Sequence, residues 1–216
     1  MFIAEIIKGE SHWTRLLFFY IDKKKIFLYI TKKHFQERRF RFMPQNKIFG
    51  LGDVGNVCRE LKHRGEKIVL TTGCFDLVHP GHVIHVHQVG AFGCLVVGIN
   101  SDQFVKKMKG PFRPVQGQDA RAFIMAGFTP VRIVTVFDDD YRLIEEVQPD
   151  IYVLSTLSHI RVGEDPERVQ LLKSLGAEIR EVDGRKIDST TNLIKRAALI
   201  AANPYNAVTT TQAPQQ

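Results

Sequence analysis

The chain from Asn46 onward is predicted to form a doubly wound α/β fold, a Rossmann-like parallel sheet with helices on both faces. Three observations predict it. Strand-like runs recur at KIVLTT, CLVVGIN, VRIVTVF, DIYVLS and AEIREV. Most are continuously apolar rather than alternating, as expected for strands covered on both faces. Stretches of helix or loop length separate them, the spacing of βαβ units.

The N-terminal segment differs from this body. Residues 1–45 carry ten basic and four acidic side chains, so a net +6 of the whole chain's +7 lies there. The same segment holds Trp13, Phe18, Phe19, Tyr20, Phe27, Tyr29, Phe35, Phe40 and Phe42. LLFFYI, DKKK and IFLYIT read as two short strands around a polar turn, and a hairpin alone is marginal in water. An extension that packs or is poorly folded is favoured over contact with nucleic acid or a membrane. Met43 is a second candidate start, because every recognisable motif follows it. The expected organisation is an extension over 1–45, a catalytic-sized domain over 46–200 and a polar, Pro-containing tail over 201–216.

Composition narrows the function classes. With 216 residues, 44% hydrophobic and 25% charged, the chain can bury one ordinary core. No apolar run reaches the roughly 18–20 residues of a membrane span, and the charged opening MFIAEIIKGE does not resemble a secretory signal, so a soluble cytoplasmic protein is expected. Cys58, Cys74 and Cys94 form no CxxC pair, and neither a disulfide framework nor a cysteine-rich zinc site is expected.

The elements follow in order. VGNVCRELKHRG places Val54, Val57 and Leu61 at helical spacing and ends at Gly65, a C-terminal cap. KIVLTT is the first strand of the sheet and ends at Gly73. Pro80 suits the first position of the next helix. The last helix is expected to start near Ser189 in DSTTNLIKRAALIAA, where Ser and Thr are good caps.

TTGCFDLVHPGHVIHVHQ sets four histidines in nine positions at the end of that first strand. In an open parallel sheet, ligands sit at the carboxyl ends of strands. His79 and His82 fall on one side of a helix start, beside free backbone N–H groups and the positive dipole end, which makes an anion site. Gly81 leaves room for a phosphate to approach the backbone. His82 and His85 can share a helix face, but His85 and His87 lie about 200° apart, so the four cannot chelate one ion. No metal held by the protein is expected, and His85 and His87 read as surface or packing residues.

GCFDLVHPGH resembles the nucleotide-binding signature of the cytidylyltransferase-like nucleotidyltransferases, whose core is HxGH. The resemblance continues through GINSD, KKMKGPFRPV with Arg121, and STT, in order, over roughly residues 46–198. Within that superfamily GCFD, NSD, KGxxRPV and STTN are most similar to the bacterial heptose 1-phosphate adenylyltransferase domain, with glycerol-3-phosphate cytidylyltransferase next. The resemblance implies transfer of a nucleoside monophosphate from ATP or CTP, with Mg²⁺, to a phosphorylated small molecule, and a homo-oligomer. It implies His79, His82 and Lys109 as catalytic residues. Gly73, Phe75, Gly81, Arg121, Ser189, Thr190 and Thr191 become nucleotide-binding residues, and Asn100 and Asp102 lie near the substrate or base.

Each assignment has a plainer reading. Lys106, Lys107 and Lys109 can be a solvated loop, STT only an N-cap, Asp76 a structural residue, and Asp138–Asp140 a solvated helix start rather than a Mg²⁺ site. Two departures stand out. LSTLSHIRVGED replaces the expected Lys-Gly-Gly-Asp stretch, so Leu154 stands where a phosphate-facing lysine belongs, with His159 or Arg161 as substitutes. Gly90 and Gly93 interrupt the helix after HxGH, at about 1 kcal/mol each relative to Ala if helical. A nucleotide-binding protein that no longer turns over is the alternative to an active enzyme.

Overall fold

The computed structural model describes residues 6–8, 14–21, 24–31, 44–155, 165–184 and 189–203. The chain divides into two compact units, residues 1–46 and 47–216. In the first, β1 (Ile6–Lys8), β2 (Thr14–Ile21) and β3 (Lys24–Thr31) form an antiparallel sheet in that order. Strand β3 pairs Lys24 with Ile21 and Lys25 with Tyr20, so these two lysines extend the ladder instead of forming the turn. The strand β1 was not anticipated, because three residues are too few for a periodic signal.

The second unit carries the predicted parallel sheet. Helix α1 (Leu51–His63) leads into β4 (Ile68–Gly73), followed by α2 (Pro80–Gly90), β5 (Cys94–Asn100), α3 (Asp102–Lys109) and α4 (Gln118–Ala126). The chain continues through β6 (Val131–Phe137), α5 (Asp140–Val147), β7 (Ile151–Ser155), α6 (Pro166–Ser174), β8 (Glu178–Val182) and α7 (Thr190–Ala201). The strand order is β6-β5-β4-β7-β8, and every pairing is parallel. The chain therefore begins at the centre, runs to one edge and returns to the other side of β4. That reversal between β4 and β7 creates the crevice where α/β sheets bind ligands.

Both faces of the sheet are buried at its centre, in β4, β5 and β7, which explains the continuous apolar runs there. Ile68 and Leu70 pack in one layer with Val54, Cys58, Leu61, Leu143, Ile144 and Leu172 from α1, α5 and α6. Val69 between them joins the opposite layer with Val86, Val89, Ala122, Met125 and Ala126 from α2 and α4. Adjacent residues of one strand thus serve two cores, and no position in the middle of β4 can be polar without a partner.

Local signals end the helices as expected. Gly65 follows α1 with φ +81, and Ser189 Oγ accepts the Asn192 N–H at the start of α7. Helix α2 is short, and Gly90 closes it for a steric reason: a Cβ there would lie 2.5 Å from Pro130 Cβ. Among the described residues no helix is long and apolar enough to cross a membrane. Cys58, Cys74 and Cys94 are free thiols.

Candidate functional site

A cleft of about 660 Å³ opens over the carboxyl ends of β4, β5 and β7. Of the predicted site residues, it brings together Gly73, Phe75, His79, Gly81, His82, Asn100, Lys109, Ser189, Thr190 and Thr191. Arg121 and Asp102 are not among its lining residues.

The floor of the cleft is the turn after β4. Phe75 adopts φ 46, a left-handed conformation that costs a bulky residue about 1–3 kcal/mol. Its ring folds back over Gly73, where a Cβ would lie 2.9 Å from Phe75 Cε2, so only glycine fits. The ring also meets His82 edge-on, with centroids 5.3 Å apart. His79 precedes the first turn of α2 in an extended conformation, and Pro80 occupies the first turn. The His79 and His82 rings stack at 3.8 Å, which places two imidazoles side by side at a helix N-terminus.

Burial holds the His82 pKa down to about 3, and the neighbouring His79, His85 and Lys109 add to the effect. Burial alone pushes His85 down to about 4. Both imidazoles are therefore neutral near pH 7. His85 also corrects the sequence reading: it lines the cleft instead of packing away from it. Thr71 Oγ1 donates to Val153 O at 3.1 Å, so it must accept from His85 Nε2, 2.9 Å away. That hydrogen bond sets the tautomer and leaves Nδ1 as a buried lone pair with no hydrogen-bond partner among the described residues. His87 is exposed, as expected.

Arg121 requires the other correction. Its side chain is fully buried, and it donates to Gln116 O (2.9 Å), Cys74 O (2.5 Å), Asn100 O (2.7 Å) and Asp102 Oδ1 (2.8 Å). It ties the strained turn at Phe75 to the end of β5 and the start of α3 rather than facing a ligand. Asp102 is accordingly occupied by this arginine. Lys109, at the exposed end of α3, does line the cleft. Ser189 caps α7, and Thr190 Oγ1 lies 3.4 Å from Leu77 O, so the STT triplet both starts a helix and faces the cleft.

The lining residues to which the sequence assigned no ligand role include His85, Arg113, Asp140 and Arg168. The three consecutive aspartates divide their roles. Asp138 accepts from Ser101 Oγ, Asp139 caps α5 through the N–H groups of Tyr141 and Arg142, and Asp140 is buried against Arg168. Arg168 also pairs with Asp165, each contact being 3.1 Å. Leu154 is buried and lines the cleft beside this network. His159 and Arg161 lie outside the described residues, as does the tail beyond 203.

Among the described residues, the two carboxylates that line the cleft do not fit a metal held by the protein. Asp76 is engaged by Arg113 and two backbone amides, and Asp140 by Arg168. Among the described residues no three His, Cys, Asp or Glu side chains are placed to hold an ion.

Residues 70–215 match the family model described as cytidylyltransferase-like. The chain belongs to the cytidylyltransferase-like family of nucleotidyltransferases. It is 35% identical over 156 residues to the bifunctional protein HldE of Wolinella succinogenes, covering 70% of this chain and 31% of that one. It is 39% identical over 158 residues to the bifunctional protein HldE of Geotalea uraniireducens, covering 69% and 31%. This family member thus spans about a third of the length of those curated relatives. A lipopolysaccharide core biosynthesis protein from Thermoplasma volcanium aligns over 57% of this chain and 100% of its own, at 24% identity and a TM-score of 0.48.

Proposed function

We propose that this family member transfers a nucleoside monophosphate from ATP to a sugar phosphate of the heptose 1-phosphate type and releases pyrophosphate. The observation that carries the reading is the stacked His79–His82 pair at the start of α2, opening onto one cleft with Lys109 and the start of α7. Two helix N-termini, two imidazoles and an ammonium group suit a polyanion that develops further charge as its Pα–O bond breaks.

A phosphate oxygen of the acceptor attacks the α-phosphorus in line, and pyrophosphate leaves. The reaction needs no protein nucleophile, so the chain's contribution is positioning and neutralisation of charge. His79 and His82 donate hydrogen bonds to the triphosphate. A triphosphate beside His82 raises its pKa, against the burial that lowers it. Lys109 supplies a mobile positive charge from the end of α3. Ser189, Thr190 and Thr191 offer hydroxyl and backbone donors. Any Mg²⁺ arrives as part of the nucleotide substrate, because the carboxylates in the cleft are already paired.

Leu154 favours a second reading, a nucleotide-binding protein that no longer turns over, since an apolar side chain stands where the family pattern has a phosphate-facing lysine. The test is pyrophosphate release with ATP and with CTP against a panel of sugar and polyol phosphates. Release with ATP and a heptose-type phosphate is expected. Release with CTP and glycerol 3-phosphate would reassign the substrates, and nucleotide binding without release under any pairing would overturn the enzyme reading.

A further inference from the structure

Arg113 lies in the loop between α3 and α4 and lines the cleft with its side chain 16% exposed. Its Nε donates to Asp76 Oδ2 at 2.7 Å. The other oxygen of Asp76 accepts the backbone N–H groups of Val115 at 2.8 Å and Gln116 at 3.0 Å. Asp76 is 1% exposed. Burial alone would raise its pKa, yet the two amides and Arg113 together leave it below the ordinary carboxylate value. A buried, ionised carboxylate thus grips one edge of a guanidinium and the backbone of the loop that carries it.

A guanidinium has five N–H donors in a rigid fork. Nε accounts for one, and among the described residues the two terminal nitrogens of Arg113 have no acceptor. Arg121, eight positions later, has all three of its nitrogens engaged by protein oxygens. The two arginines therefore divide the work: one is built into the scaffold, and the other retains a free edge at the ligand cleft. A paired N–H edge at a partly buried position is suited to two oxygens of one phosphate group.

We propose that Arg113 binds a phosphate group in the cleft through the free edge of its guanidinium, and that Asp76 is the positioning residue that aims it. The inference rests on the nucleotidyltransferase reading only in that phosphates enter this cleft. The phosphate belongs either to the nucleotide or to the acceptor, and the probes separate the two.

Calorimetric titration with inorganic pyrophosphate, ATP and inorganic phosphate, on the full chain and on Arg113→Gln, Arg113→Lys and Asp76→Asn, tests the proposal, with thermal unfolding run in parallel. Arg113→Gln is expected to weaken at least one probe by about tenfold or more, in line with loss of one charge-assisted contact of roughly 1.5–3 kcal/mol. Arg113→Lys should recover only part of that loss, because an ammonium group cannot hold two oxygens from one plane. Loss confined to pyrophosphate and ATP assigns the nucleotide, and loss confined to inorganic phosphate assigns the acceptor.

For Asp76, the decisive measurement is the double variant. If Asp76 acts by aiming Arg113, Asp76→Asn adds no further loss of probe affinity once Arg113 is Gln, whereas a purely structural Asp76 adds its full effect. Arg113→Gln with affinities within twofold of the parent overturns the proposal. In that event, His82→Ala that still loses pyrophosphate binding leaves the nucleotidyltransferase reading standing, and His82→Ala that also binds normally removes it. If Arg113→Gln does not fold, Arg113→Lys carries the test, and full affinity in it overturns the assignment.

Discussion

The two ends of the cleft are built from the same topology and differ in what their charges do. At the end formed by the β4–α2 turn and α3, Lys109 is exposed and His82 is a neutral imidazole stacked beside His79. At the end formed by β7 and α6, Arg168 lies between Asp140 and Asp165, and Leu154 presents an apolar surface. Among the described residues that end sets two carboxylates against one arginine, so it is less positive than the first, although Arg168 keeps its Nε without an acceptor there. On the proposed function, the nucleotide's phosphates sit at the first end, and the side-chain charges that accompany each strand end, not the strand ends alone, decide where a phosphate binds.

The largest effect that could break this comparison is expected from Arg121→Ala. It leaves the carbonyls of Cys74, Asn100 and Gln116 and the Asp102 carboxylate without their donor. Loss of a buried charged partner costs about 3–5 kcal/mol, to be read by urea unfolding. A variant as stable as the parent would show that this clamp does not hold the turn at Phe75.

Next in size, His82→Ala should lower pyrophosphate release by about 10² or more, with the unfolding midpoint measured alongside. An unchanged rate would remove the first end from the chemistry.

The pH dependence of stability sharpens the difference further. Burial holds His82 at about 3 and His85 at about 4, below the ordinary 6.5. The folded state refuses protons that the unfolded chain accepts. The resulting contribution favours folding fully above about pH 6.5 and is lost progressively as the pH falls toward 4. Removing the imidazole with His85→Phe should flatten the urea-midpoint profile over that window. An unchanged slope would show that His85 is not buried neutral.

The smallest effect is expected at the β7 end. Leu154→Lys places a cation beside Arg168 at a buried position, for a stability loss of about 1–3 kcal/mol. If the acceptor's phosphate reaches that end, its KM falls while the KM for ATP stays unchanged. An acceptor KM that does not move keeps the phosphates at the first end.

Legibility in the sequence followed distance along the chain. The central parallel strands were readable because both of their faces are buried, and Pro80 and Ser189 were readable because helix starts select their residues locally. His85 carried a weak signal, since it lies three residues after His82 on a shared helix face. Its partner Thr71 is 14 positions away on another element, however, and no local pattern reports that contact. Arg121 was assigned to the nucleotide by resemblance and Arg113 was given no role, because nothing local distinguishes two cations in one loop-and-helix segment. Their fates depend on Asp76, 37 positions before one, and on Cys74, 47 positions before the other. Asp140 read as part of a solvated run until α6 brought Arg168 to it across 28 positions.

By itself, then, the sequence determined the architecture, the family and the location of the helix start after His79, which opens onto the cleft. Burial patterns and caps are local properties, written in residues next to one another. Only the tertiary structure decided which cations remain available to a ligand and which imidazoles enter the cleft. Those outcomes depend on acceptors and low-dielectric surroundings supplied by distant segments, and a charge that is exposed in one packing is neutralised in another.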